Sequence, residues 1–81
     1  MPNVIIYTTP QCVYCKMAKD FFDKNKVAYQ EKDVAIDEKA RDDMIQKSGQ
    51  FGVPVIEIGK EIVIGFDKPK ITQLLQVSPR T

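Results

Sequence analysis

The first 33 residues carry an apolar run, a polar turn, a helical periodicity and a second strand in succession, and that order admits few folds. Val4-Ile5-Ile6-Tyr7 is short and rich in β-branched residues, the composition of a strand. Thr8-Thr9-Pro10-Gln11 follows as a turn. Val13, Met17, Ala18, Phe21 and Phe22 then recur at helical spacing, which predicts a helix from about Cys12 to Asn25 with these side chains facing inward. A second strand is expected from about Ala28 to Asp33, leading to a turn at Ala35-Ile36-Asp37. A β-α-β unit closes as a right-handed crossover between parallel strands. A parallel pair with a helix across it is therefore the expected start of the fold.

The remaining residues extend that unit. Asp37 reads as the N-cap of a second helix with Ala40, Met44 and Ile45 on its inner face and Gly49 as its stop. Two further strands, Val53 to Ile58 and Glu61 to Ile64, are joined by Gly59-Lys60 as a tight hairpin. Asp67 is placed to cap a last helix that has Pro69 in its first turn and Ile71, Leu74 and Leu75 inward. The order β-α-β-α-β-β-α predicts an α/β domain with a mixed four-stranded sheet flanked by three helices. At 81 residues the chain is expected to be one domain, 1–81.

Charge and hydropathy exclude several classes of function. Twelve basic against eleven acidic residues leave a net charge of +1, without the concentrated basic footprint of a nucleic-acid binder. No apolar stretch approaches the roughly 20 residues needed to span a bilayer. The start lacks the charged n-region of a signal peptide and is expected to be strand. The expected compartment is the cytoplasm. There, a cysteine pair is more often catalytic or metal-binding than a permanent staple. With two cysteines and no histidine, one chain cannot supply four Cys/His zinc ligands, so no metal site is expected.

Cys12 and Cys15 stand at the strand-to-helix turn of the β-α-β unit, the context in which Cys-x-x-Cys reads as a redox motif. Disulfide exchange needs a thiolate, and an ordinary thiol is mostly protonated at neutral pH. A helix start offers unpaired backbone N–H groups and the positive end of the helix dipole, which favour the anion. Lys16 is a candidate further charge. Cys15 lies close to one turn further on, so Cys12 is expected to be the exposed nucleophile and Cys15 the deeper resolving thiol. As a staple the pair would be weak, because a two-residue loop constrains the unfolded chain very little.

Tyr7-Thr8, Cys12-Val13-Tyr14-Cys15, Ser48-Gly49, Val53-Pro54 and Gly65-Phe66-Asp67, in this order and spacing, resemble the glutaredoxin family over nearly the whole chain. The resemblance implies a thioredoxin fold, a cis Pro54 beside the active-site cysteines, and glutathione as reductant. It also implies substrate or glutathione contacts at Tyr14, Gln50, Val53, Pro54, Gly65 and Asp67, with Lys47 as a supplement. Departures from the family pattern are Val13 where proline is common, Thr8 and Thr9 where a cation often stands, and Gln50 and Gly52 where Arg and Thr often precede Val-Pro. A double-glycine anchor is reduced to Ile64-Gly65-Phe66-Asp67-Lys68. These departures make the chain similar also to glutaredoxin-like hydrogen donors of ribonucleotide reductase, which thioredoxin reductase recharges.

The function so implied is that of a monomeric, cytoplasmic disulfide reductase. It would act on protein disulfides or glutathione mixed disulfides, with glutathione or thioredoxin reductase as electron donor and no bound cofactor. The alternative is a dimer holding an iron–sulfur cluster through Cys12 and glutathione. Several of the chosen residues also have plainer readings. Asp67 serves equally as a helix cap, Gly65 as a backbone position needing an unusual dihedral, and Phe51 and Phe66 as core or as an apolar rim.

Overall fold

A computed structural model describes residues 3–75. Seven elements follow the expected order: β1 Val4–Thr8, α1 Val13–Lys24, β2 Gln30–Asp33, α2 Glu38–Ser48, β3 Val55–Ile58, β4 Glu61–Ile64 and α3 Lys68–Leu75. The strands form one sheet in the order β2-β1-β3-β4, with β1 parallel to β2 and the other two pairings antiparallel. The parallel pair spans the α1 crossover, as the β-α-β pattern requires.

Strand alternation divides the apolar residues between two faces. On one face Val4, Ile6, Ile56, Ile58 and Val63 pack with Ala18, Phe21 and Phe22 of α1 and Ile71 and Leu75 of α3. On the other, Tyr7 and Val55 meet Ala40 and Met44 of α2. The charged face of each helix points outward, so burial alone accounts for which side each helix takes.

Helix α1 presents a different stripe from the expected one. Cys15, Ala18, Phe21 and Phe22 are buried, whereas Val13 is 70% and Met17 45% exposed. Apolar residues near the start of α1 are thus left outside the core, because the packed stripe begins at Cys15.

Two strand boundaries also shift. β3 begins at Val55 because Pro54, which follows a cis peptide bond, has no N–H to give to a ladder. β2 begins at Gln30, two residues later than expected, because a left-handed turn intervenes. There Lys26 has φ 57°, and the Lys26 and Val27 N–H groups close α1 by donating to Asp23 and Phe22 carbonyls.

The remaining ends are as the residue types dictate. Asp37 accepts the Ala40 N–H at 3.0 Å as N-cap of α2, and Gly49 closes that helix at φ 75°. No helix among the described residues is long and apolar enough to cross a membrane.

Candidate active site

Register brings three separate segments to one end of the sheet. Tyr7 pairs with Val55 and Val55 with Ile64, so the residues just beyond, Thr8, Pro54 and Gly65, stand in a row. The Gly65 N–H donates to the Pro54 carbonyl at 2.8 Å, locking the last two together. Thr9-Pro10-Gln11 leaves the same end and delivers Cys12 to the start of α1.

Cys12 is the N-cap residue, in extended geometry (φ −88°, ψ 112°). Its Sγ accepts the Cys15 N–H at 3.1 Å, and its own carbonyl accepts the Lys16 N–H at 3.2 Å. A sulfur seated as a helix cap receives the N–H that no carbonyl can reach, which is an anion-stabilising position. Cys12 is partly exposed, whereas Cys15 is 1% exposed, and both are free thiols. Burial foremost, then the contact with Cys12, pushes the Cys15 thiol up to about 12 from its ordinary 9.0. A Thr9 backbone hydrogen bond and the charge of Lys19 pull the other way. The pair is therefore chemically unequal: one thiol is open to attack and the other is protected as SH.

The other sequence-derived positions separate into those at this end and those turned elsewhere. Pro54 is buried, and Val53 is half-buried against the α2-side cluster. Gln50 is fixed through its backbone, whose N–H and carbonyl both bond to Ser48 Oγ. Tyr14 is 62% exposed and so is not packing. Phe51 is 78% exposed, whereas Phe66 packs edge-on against Phe21 at 5.8 Å, so only the first has a rim position.

Gly65 has φ 78° and open space where a Cβ would stand, so its glycine answers a dihedral and not a close approach. Asp67 caps α3, with its carboxylate accepting the Lys70 N–H at 3.3 Å. Lys47 is committed away from the cysteines: its Nζ lies 2.8 Å from Glu57 and 3.4 Å from the Tyr7 hydroxyl on the α2 face.

Sequence reasoning missed a polar cluster on the opposite flank. Thr8, 1% exposed, donates its hydroxyl to Glu31 Oε2 at 2.9 Å, and Lys19 Nζ lies 2.8 Å from the same oxygen. Lys19 and Glu31 edge a groove of about 480 Å³ that opens beside Gln11 and Cys12. The i, i+4 spacing of Cys15 and Lys19 was a readable signal; the arrival of Glu31 depended on strand register and was not. A larger hollow of about 570 Å³ lies by Asn3 and Lys26 at the other end of β1, away from both cysteines.

Comparison with known proteins agrees with this arrangement. The family model described as Glutaredoxin matches residues 4–63. The chain is 39% identical to an uncharacterised glutaredoxin-like 8.6 kDa protein in a rubredoxin operon of Clostridium pasteurianum, over 88% of this chain and 95% of that one. It is 37% identical to glutaredoxin 3 of Escherichia coli, over 83% of this chain and 81% of that protein. Among solved structures, a mutant of the thioredoxin-like protein BC3987 superposes with a TM-score of 0.90 at 35% identity, covering 96% of this chain and all of the other. The fold is the thioredoxin fold, and the chain belongs to the glutaredoxin family.

Proposed function

We propose that this thiol–disulfide oxidoreductase works by two-thiol exchange, with Cys12 attacking a substrate disulfide and Cys15 releasing the product. The observation that carries the reading is the inequality of the pair: Cys12 is a partly exposed helix cap, and Cys15 is buried directly behind it. In the first step the Cys12 thiolate displaces one sulfur of the substrate and forms a mixed disulfide. In the second, Cys15 attacks Cys12 Sγ, the first product leaves as a thiol, and the protein carries the Cys12–Cys15 disulfide. A buried second thiol one turn away favours this cycle over cluster binding by Cys12 with glutathione.

The substrates are protein disulfides, and the reductant is a protein of the thioredoxin-reductase type. One contact supports that choice over glutathione: the Lys47 ammonium is turned to Glu57 and the Tyr7 hydroxyl on the α2 face. Exposed Val13, Tyr14, Met17 and Phe51 add apolar surface suited to a protein partner.

Two NADPH-coupled assays test the reading, one with thioredoxin reductase and one with glutathione plus glutathione reductase. Turnover is expected in the first and to vanish in Cys12→Ser. Turnover in the glutathione arm alone would overturn the choice of reductant, and turnover by Cys12→Ser would overturn the mechanism.

A further inference from the structure

We propose that Lys19 is a positioning residue for the second half of the exchange, holding a positive charge one helical turn from Cys15 while Cys15 attacks the mixed disulfide. The inference rests on the two-thiol reading. Lys19 follows Cys15 by four residues on α1, so the two occupy neighbouring places on one side of the helix.

A lysine on a helix surface ordinarily sweeps a wide volume of solvent, and its charge is of little use to a neighbour. Lys19 is tethered. Its Nζ meets Glu31 Oε2 at 2.8 Å, and that oxygen is itself held by the buried Thr8 hydroxyl at 2.9 Å. Three elements, α1, β2 and β1, thus fix where the ammonium stands. The groups facing it are known: Cys15 on its own helix, Glu31 of β2, and Tyr29 just before that strand. Asp20, Asp23 and Lys16 line the same groove, and Thr8 from β1, which holds Glu31, is neutral. The hydrogen bond to Glu31 raises the ordinary proton affinity of Lys19, so it remains an ammonium at neutral pH. Its contribution is charge, not proton transfer.

The step it serves balances as follows. Cys15 loses its proton to water, its sulfur forms a bond to Cys12 Sγ, and the bond between Cys12 and the substrate sulfur breaks. The electron pair leaves on the substrate sulfur, which takes up a proton. Two protein thiols are oxidised while one substrate disulfide is reduced. Burial opposes the thiolate that this step needs, and Lys19 is the cation acting to favour it.

Reduced full-length protein mixed with 5,5′-dithiobis(2-nitrobenzoate) tests the inference. Cys12 attack releases one thionitrobenzoate and Cys15 attack a second, so the second phase reports an intramolecular step independent of reagent approach. In Lys19→Gln the second phase is expected to slow about threefold to tenfold relative to the first. The slowing should shrink with added salt, as the effect of a partly exposed charge does, and Lys19→Arg should restore the rate. A slowing that added salt leaves unchanged, or Lys19→Arg behaving as Lys19→Gln, would overturn the role of Lys19. Release of a single thionitrobenzoate by the unmodified protein would instead overturn the two-thiol reading itself.

Discussion

At the scale of single residues, the site depends on two sulfurs that share a motif but not an environment. Cys12 occupies the capping position, where the Cys15 N–H points at its Sγ. Cys15 is 1% exposed, and burial holds it as a neutral thiol up to about 12. Only a thiolate reacts readily with an alkylating agent. Iodoacetamide at pH 7 to 8 is therefore expected to modify one thiol per folded chain, at Cys12, and two after denaturation. Mass spectrometry of the digested protein checks this. Equal modification of Cys15 in the folded chain would show that its protection is not real. The sequence already named both cysteines, because the motif lies at a strand-to-helix turn that tolerates few other readings. It did not supply the contact between Thr8 and Glu31, which spans 23 residues and exists only once β1 and β2 pair.

At the scale of elements, the helix ends named from the sequence were legible to within a residue, and the turn that follows α1 was not. Asp37, Gly49 and Asp67 all stand where their side chain or its absence suits the backbone. Just beyond the Asn25 C-cap of α1, Lys26 stands at φ 57°, a left-handed position usually filled by glycine. Two hydrogen bonds, Lys26 N–H to Asp23 and Val27 N–H to Phe22 at 2.8 Å, make the turn worth keeping despite the Cβ. A lysine gives no sequence signal for such a turn, and this is why β2 was expected two residues too early. Lys26→Gly should relieve the backbone and stabilise the protein by roughly 0.5–1 kcal/mol, after allowance for the added freedom of the unfolded chain. Urea unfolding measures the gain. Lys26→Ala, which keeps the Cβ, should bring none, and an equal gain from both variants would count against the backbone explanation.

At the scale of the whole molecule, the two faces of the sheet are unequally secured. On one side α1 contributes Ala18, Phe21 and Phe22 and α3 contributes Ile71 and Leu75 to a single cluster. On the other, α2 buries Ala40 and Met44, with Ile45 half-buried. A buried large side chain contributes roughly 1.5–3 kcal/mol, so one methionine and one alanine hold α2 far less firmly than two phenylalanines hold α1. The Lys47–Glu57 pair spans the same interface, but with Lys47 41% exposed it adds little. α2 should accordingly open as a unit while the sheet and α1 remain closed. Its C-terminal end continues through Ser48, Gly49 and Gln50 to the exposed Phe51, so such opening would move Phe51 without disturbing the cysteines. Native-state hydrogen exchange tests this. Amides of Met44 to Lys47 should exchange at least about tenfold faster than those of Ile6 and Ile56, and Met44→Ala should widen the gap. If the α2 amides are protected as strongly as those of the central strands, the molecule unfolds in one step. Phe51 is then held as firmly as the sheet to which its segment leads.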